Sequence, residues 1–108
     1  MAGRTGLPVR IDAEQAAGIA RWLVNLSEPD TLLICYQLLD DCRTLDELAE
    51  QTGLTPSKLA DRLNAGQRSG RFGYRQHQGQ RCYRIVCPAT RRLAGLLYRL
   101  HETDGDQT

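Results

Sequence analysis

Two short runs of alternating side chains around a glycine loop constrain this chain more than any other feature. Phe72-Gly73-Tyr74-Arg75-Gln76 and Arg81-Cys82-Tyr83-Arg84-Ile85-Val86-Cys87 flank a polar tip, His77-Gln78-Gly79-Gln80. Alternation sends successive side chains to opposite faces of a strand, and a short loop with glycine lets two such strands pair as a hairpin. Pro88 closes the second strand. A lone hairpin is marginal in water and must pack on the rest of the chain. The rest reads as helices, which makes the fold mostly α with one β-hairpin, an α+β domain. A length of 108 residues suits one domain with a modest core.

Local signals set the helix boundaries. Asp12 can cap a first helix and Gln15 can reach back to it, after which Ala16, Ile19, Ala20, Leu23 and Val24 recur at helical spacing as far as Leu26. Ser27-Glu28-Pro29-Asp30 opens a second helix, with Ser27 as the expected cap and proline tolerated in the first turn. It is apolar nearly all round (Leu32, Leu33, Cys35, Tyr36, Leu38, Leu39), which predicts burial, and Asp40-Asp41 breaks it. Cys42-Arg43-Thr44 would fit one short strand. Thr44 and Glu47 form a second capping box for a helix that stops at Gly53. Thr55-Pro56 starts a fourth helix, with Leu59, Ala60 and Leu63 as its buried stripe and Gly70 as its stop. The hairpin follows, then a last helix with Leu93, Leu96, Leu97 and Leu100 on one face. Residues 1–10 read as a flexible arm, 11–102 as the domain, and 103–108 as a disordered tail.

Charge is concentrated where the helix pair meets the hairpin. Between Ser57 and Arg92 stand nine bases and one acid, whereas the remainder holds five bases and twelve acids. The whole-chain balance of +1 hides this polarity. A cationic block on an otherwise acidic chain suits a polyphosphate, and the near-exclusive use of arginine suits bidentate phosphate contacts. Helix, a turn at Gly53-Leu54, then helix is helix-turn-helix spacing, in which the start of the second helix meets base edges in the major groove. The expected contacts there are Thr55, Ser57, Lys58, Asp61 and Arg62. The hairpin would then be a wing, with Arg75, His77, Gln78, Gln80 and Arg81 along a backbone or in a minor groove. The partner implied is double-stranded DNA.

The order α-α-(short β)-α-α-β-β-α resembles the ArsR/SmtB family of bacterial winged helix-turn-helix repressors. The resemblance lies in Leu23-Val24-Asn25-Leu26-Ser27-Glu28-Pro29, in Leu45-Asp46-Glu47-Leu48-Ala49-Glu50-Gln51-Thr52-Gly53-Leu54-Thr55, in Leu59-Ala60-Asp61-Arg62-Leu63 and in Cys82-Tyr83-Arg84-Ile85. It implies a sequence-specific transcriptional repressor acting as a homodimer through its first and last helices. Ala16, Ile19, Leu23, Leu93, Leu96, Leu97 and Leu100 would then form the dimer interface. Three positions depart from the family pattern. Asp30-Thr31-Leu32 stands where an arginine is usual, Gly66 should leave a packing gap in the fourth helix, and Arg71 falls where an apolar residue is preferred. Gly66 and Arg71 motivate an alternative: a winged-helix module that docks an acidic protein and has no operator of its own.

Other chemistry finds little footing. No histidine has a nucleophile or carboxylate partner in sequence, and no phosphate-cradling glycine loop precedes a lysine, so an enzyme is not expected. Neither metal-ligand set known for the family can be assembled, and no metal, cofactor or effector is assigned. No apolar run is long enough for a membrane span, and a cytoplasmic protein is expected. Of the four cysteines, Cys35 reads as a small buried hydrophobe. Cys42, Cys82 and Cys87 are redox candidates: a disulfide from Cys42 to either of the other two would couple oxidation to the wing. With no secretion signal, reduced and inert structural thiols are the favoured reading for all four, and the redox pair is the alternative.

Overall fold

The computed structural model describes residues 12–107, so the expected arm at 1–10 lies outside the described residues. The elements run α1 (Ala13–Leu26), α2 (Pro29–Gln37), α3 (Leu45–Thr52), α4 (Pro56–Arg68), β1 (Phe72–His77), β2 (Gln80–Ile85) and α5 (Pro88–Gln107). Both capping boxes form. The Asp12 carboxylate accepts from the Gln15 amide at 2.8 Å, and the Gln15 side chain accepts from the Asp12 amide at 3.0 Å. Thr44 and Glu47 repeat the exchange at the start of α3. Gly53 ends α3 in the left-handed region, φ 76°.

Several local expectations change. Ser27 does not cap α2; it ends α1, and its hydroxyl donates to the Val24 carbonyl. Glu28 takes the N-cap position, and its carboxylate accepts from the Thr31 hydroxyl at 2.8 Å. Serine fits either helix end, and here the backbone turns one residue later. The short strand reduces to a single bridge, Arg43 with Tyr83. Ala60 faces solvent rather than the core. In α2 only part of the apolar surface is covered: Ile34, Cys35 and Leu38 are buried, while Leu33 and Tyr36 stay about 40% exposed. The second strand stops at Ile85, so Cys87 lies outside the hairpin at the entry to α5. The helix α5 continues through Thr103 to Gln107, over residues expected to form a disordered tail.

The core joins Leu26, Ile34, Leu38, Leu48, Leu59 and Leu63 to Phe72, Tyr83 and Ile85 from the base of the hairpin. Each buried leucine contributes about 2 kcal/mol by leaving water. Gly66 leaves no gap. A Cβ added there would lie 2.1 Å from Cδ2 of Phe72, so the ring occupies the space that a side chain would need. Arg71 then turns the chain into β1. Its amide donates to the Gly66 carbonyl and its own carbonyl accepts from Val86, both at 2.8 Å. These contacts fix the hairpin's base to the end of α4.

Candidate nucleic-acid interface

The turn between α3 and α4 leaves the start of α4 open to solvent. Ser57, Lys58 and Asp61 are exposed. Thr55 is exposed too, but its hydroxyl is engaged, accepting from the Lys58 amide at 3.2 Å as the cap of α4. Arg62 is not free. Its guanidinium pairs with Glu28 at 2.5 Å and Asp30 at 3.7 Å, which ties α4 to the start of α2. With its side chain about a third exposed (34%), this pair contributes about 1 kcal/mol or less. Glu28 and Asp30 at the start of α2 thus serve as counter-ions to Arg62.

The hairpin is antiparallel and in register from Phe72↔Ile85 to His77↔Gln80. Its tip is a tight turn in which Gln78 and Gly79 both take positive φ, 53° and 78°. Two consecutive left-handed residues match the right-handed twist of the strands. Alternation then divides the wing. One face carries Phe72, Tyr83 and Ile85 into the core and, nearer the tip, Tyr74 and Arg81. The Arg81 guanidinium lies over the Tyr74 ring, 4.3 Å from its centroid. The other face carries Arg75, His77, Gln80 and Arg84, all exposed, around Cys82. Arg84 was not among the expected contacts, although the alternation of Gln80, Cys82 and Arg84 places it beside Arg75.

The basic block therefore divides by role. Lys58, Arg68, Arg75, Arg81, Arg84 and Arg92 are exposed. Arg62 is paired, and Arg71 is 5% exposed with no carboxylate in ion-pair range among the described residues. Arg91 donates to the Leu38 and Leu39 carbonyls at the end of α2 and to the Ile85 carbonyl at 3.2 Å, tying α5 to α2 and the wing.

Away from this surface, Ile19, Leu23, Leu96, Leu97 and Leu100 are between 41% and 52% exposed, and Ala16 is exposed as well. Leu93 instead packs half-buried against the core. These side chains leave apolar faces of α1 and α5 open to water.

The thiols also separate. Cys42 and Cys82 are joined by a disulfide across 40 residues of sequence, with their Cα atoms 5.5 Å apart. Cys35 and Cys87 are free. Burial pushes the Cys35 thiol up to about 11. Hydrogen bonding to Thr90 at the start of α5 holds the Cys87 thiol below its ordinary range.

A helix-turn-helix followed by an antiparallel hairpin and a terminal helix is a winged helix-turn-helix domain. No protein-family model and no curated protein sequence matches the chain. Solved structures do. The transcriptional repressor BigR from Xylella fastidiosa is 25% identical with a TM-score of 0.75, over 84% of this chain and 90% of BigR. The homodimeric winged helix-turn-helix DNA-binding domain of Mb0332 from Mycobacterium bovis, a possible ArsR-family regulator, is 21% identical with a TM-score of 0.72, over 94% of this chain and 96% of its own. The antimony-specific transcriptional repressor AntR is 18% identical with a TM-score of 0.83, over 100% of this chain and 97% of its own. The fold implied by the ArsR/SmtB resemblance is the fold that these regulators share with this chain.

Proposed function

We propose that the chain is a DNA-binding transcriptional regulator of the ArsR type, a repressor that works as a homodimer. One observation carries the reading. The exposed start of α4, with Ser57, Lys58 and Asp61, follows a helix-turn-helix turn in the same fold as a wing with exposed Arg75, His77 and Arg84. In this reading α4 enters the major groove, Ser57, Lys58 and Asp61 meet base edges or phosphates, and the wing's cations lie on the flanking backbone or minor groove. Gln78, Gln80 and Arg81 at the wing's end add hydrogen bonds and charge. Arg62 and Thr55 hold α4 in place and do not read DNA. The open faces of α1 and α5 supply the dimer contact, so that two copies of α4 address two half-sites. Such a regulator works in the cytoplasm, and no helix among the described residues is long and apolar enough to cross a membrane.

The alternative as a protein-docking module drew on Gly66 and Arg71. Gly66 has work inside the fold, where it admits the Phe72 ring, whereas the Arg71 side chain is buried at the wing's base with its Nε unpartnered.

The direct test is a gel-shift titration with duplex DNA from the region upstream of the protein's own gene. A complex is expected at low salt, weakening steeply as salt rises. Failure to bind any such duplex at low salt rejects the reading. The dimer is tested separately. Leu96→Glu combined with Leu100→Glu should sediment as a monomer and bind at least roughly tenfold more weakly, since one half-site contact is lost. A wild-type chain that sediments as a monomer at micromolar concentration rejects the homodimer.

A further inference from the structure

The cysteine pair offers more than a static link. Cys42 is half-buried in the segment before α3, and Cys82 lies on the outer face of β2, 8% exposed. Both border a cavity of about 270 Å³ whose other lining residues are Arg75 and His77. Arg75 stands directly opposite Cys82 in the strand register, and Arg84 follows two residues along on the same face. The residues next to the two cysteines, Arg43 and Tyr83, exchange backbone hydrogen bonds of 2.9 and 2.7 Å. That bridge does not depend on the disulfide. It joins the two segments through backbone hydrogen bonds beside the sulfur link.

We propose that Cys42 and Cys82 form a reversible thiol–disulfide exchange site that sets how firmly the wing is held. The incoming reagent is a dithiol reductant in one direction and a hydroperoxide in the other. In reduction, a reagent thiolate attacks the more accessible sulfur, that of Cys42, and breaks the disulfide. Cys82 leaves as a thiolate opposite Arg75 in the strand register, across the cavity they share, and a stabilised leaving thiolate departs faster. The reagent's second thiol then displaces Cys42. The reagent becomes a disulfide, and its two electrons and two protons end on the cysteine pair. In oxidation, one thiolate and a proton react with the hydroperoxide to give a sulfenic acid and release water or an alcohol. The other thiol condenses with the sulfenic acid, forming the disulfide and releasing a second molecule, water.

Two consequences follow. The disulfide closes a loop containing all of α3, α4 and β1, so it restrains the unfolded chain across the whole helix-turn-helix. It also fixes the strand that carries Cys82 and Arg84, and that faces Arg75, to the segment before α3, so the wing's cations are held in place before a duplex arrives. On the reading of the protein as a DNA binder, the oxidised form should grip a duplex more tightly than the reduced form.

The experiment compares peroxide-oxidised protein with dithiothreitol-reduced protein after removal of each reagent. Titration of thiols under denaturing conditions should give two in the oxidised form, Cys35 and Cys87, and all four in the reduced form. Reduction should lower Tm by roughly 10 °C or more and weaken DNA binding about fivefold. Cys42→Ser and Cys82→Ser should abolish these differences, while Cys35→Ser combined with Cys87→Ser should keep them. Arg75→Gln should slow reduction several-fold. Four free thiols after peroxide treatment, or equal Tm and equal affinity in the two forms, would overturn the proposal. Absence of any DNA complex in both forms would count against the DNA reading, while the thiol count and Tm would still decide this one.

Discussion

The recognition helix and the wing draw on the same basic block but use it differently. In α4 the side chains that matter structurally are spent on neighbours. Leu59, Leu63 and Gly66 are buried, Arg62 is paired with Glu28 and Asp30, and Thr55 caps the helix. The wing is anchored at its base by Phe72 and Ile85 in the core and by Arg91, and further along by the Arg43–Tyr83 bridge and the Cys42–Cys82 link. On its outer face Arg75, His77, Gln80 and Arg84 are exposed to solvent. A rigid helix held by packing can register on base edges, whereas an exposed cationic finger adapts to a phosphate backbone. The lesson is that charge in a sequence block does not mean charge available to a ligand: Arg62 and Arg91 tie elements together, and Arg71 is buried.

The sharpest way to break the contrast is at the contact that joins the two regions. Gly66→Ala removes the helix-propensity cost of glycine, about 1 kcal/mol, but drives a methyl into the Phe72 ring. Overpacking should win, with a net loss of about 2 kcal/mol visible as a lower denaturation midpoint. A stabilised variant would show that α4 and the wing are packed loosely. Next in size is Lys58→Ala. It should weaken duplex binding roughly fivefold, or about 1 kcal/mol, with stability unchanged. An unchanged affinity would remove the exposed start of α4 from the interface. Smaller again is Arg62→Gln, expected to cost about 1 kcal/mol or less of stability and to leave the salt dependence of DNA binding as in the wild type. A flattened salt dependence with normal stability would instead put Arg62 on a phosphate.

The smallest effect separates the two free thiols. In the oxidised protein at pH 8, iodoacetamide should modify Cys87, whose thiol is held low by Thr90 and is partly exposed. Cys35, fully buried with its thiol pushed up to about 11, should react only on unfolding. Because the folded chain binds that proton more tightly than an unfolded one, Cys35 adds stability below pH 9 that is lost as pH rises toward 11. Modification of Cys35 without unfolding would show that α2 opens more readily than its packing suggests.

Much of this was legible in the sequence because its signals are local. Asp12 with Gln15, Thr44 with Glu47, Thr55 with Pro56, and the glycines at 53, 70 and 79 place helix ends and turns without reference to the rest of the fold. What could not be read depends on distant partners. Whether Arg62 faces DNA or Glu28 is decided by how α4 packs on α2. Whether Gly66 is a gap or a socket depends on where Phe72 arrives. The choice of Cys82 over Cys87 as the partner of Cys42 is set by the bridge between Arg43 and Tyr83, which periodicity alone does not reveal. Ser27 shows the limit of cap rules at a one-residue scale, since it fits the end of α1 as well as the start of α2.

The most direct test compares the salt dependence of duplex binding for the wild type, for Arg75→Ala combined with Arg84→Ala, and for Arg62→Gln. Plotted as log K against log salt, the wing variant should lose about 0.9 of slope for each phosphate contact removed, and Arg62→Gln should match the wild type. A wing variant with the wild-type slope would contradict the account, because it would mean that the exposed arginines of the hairpin touch no backbone.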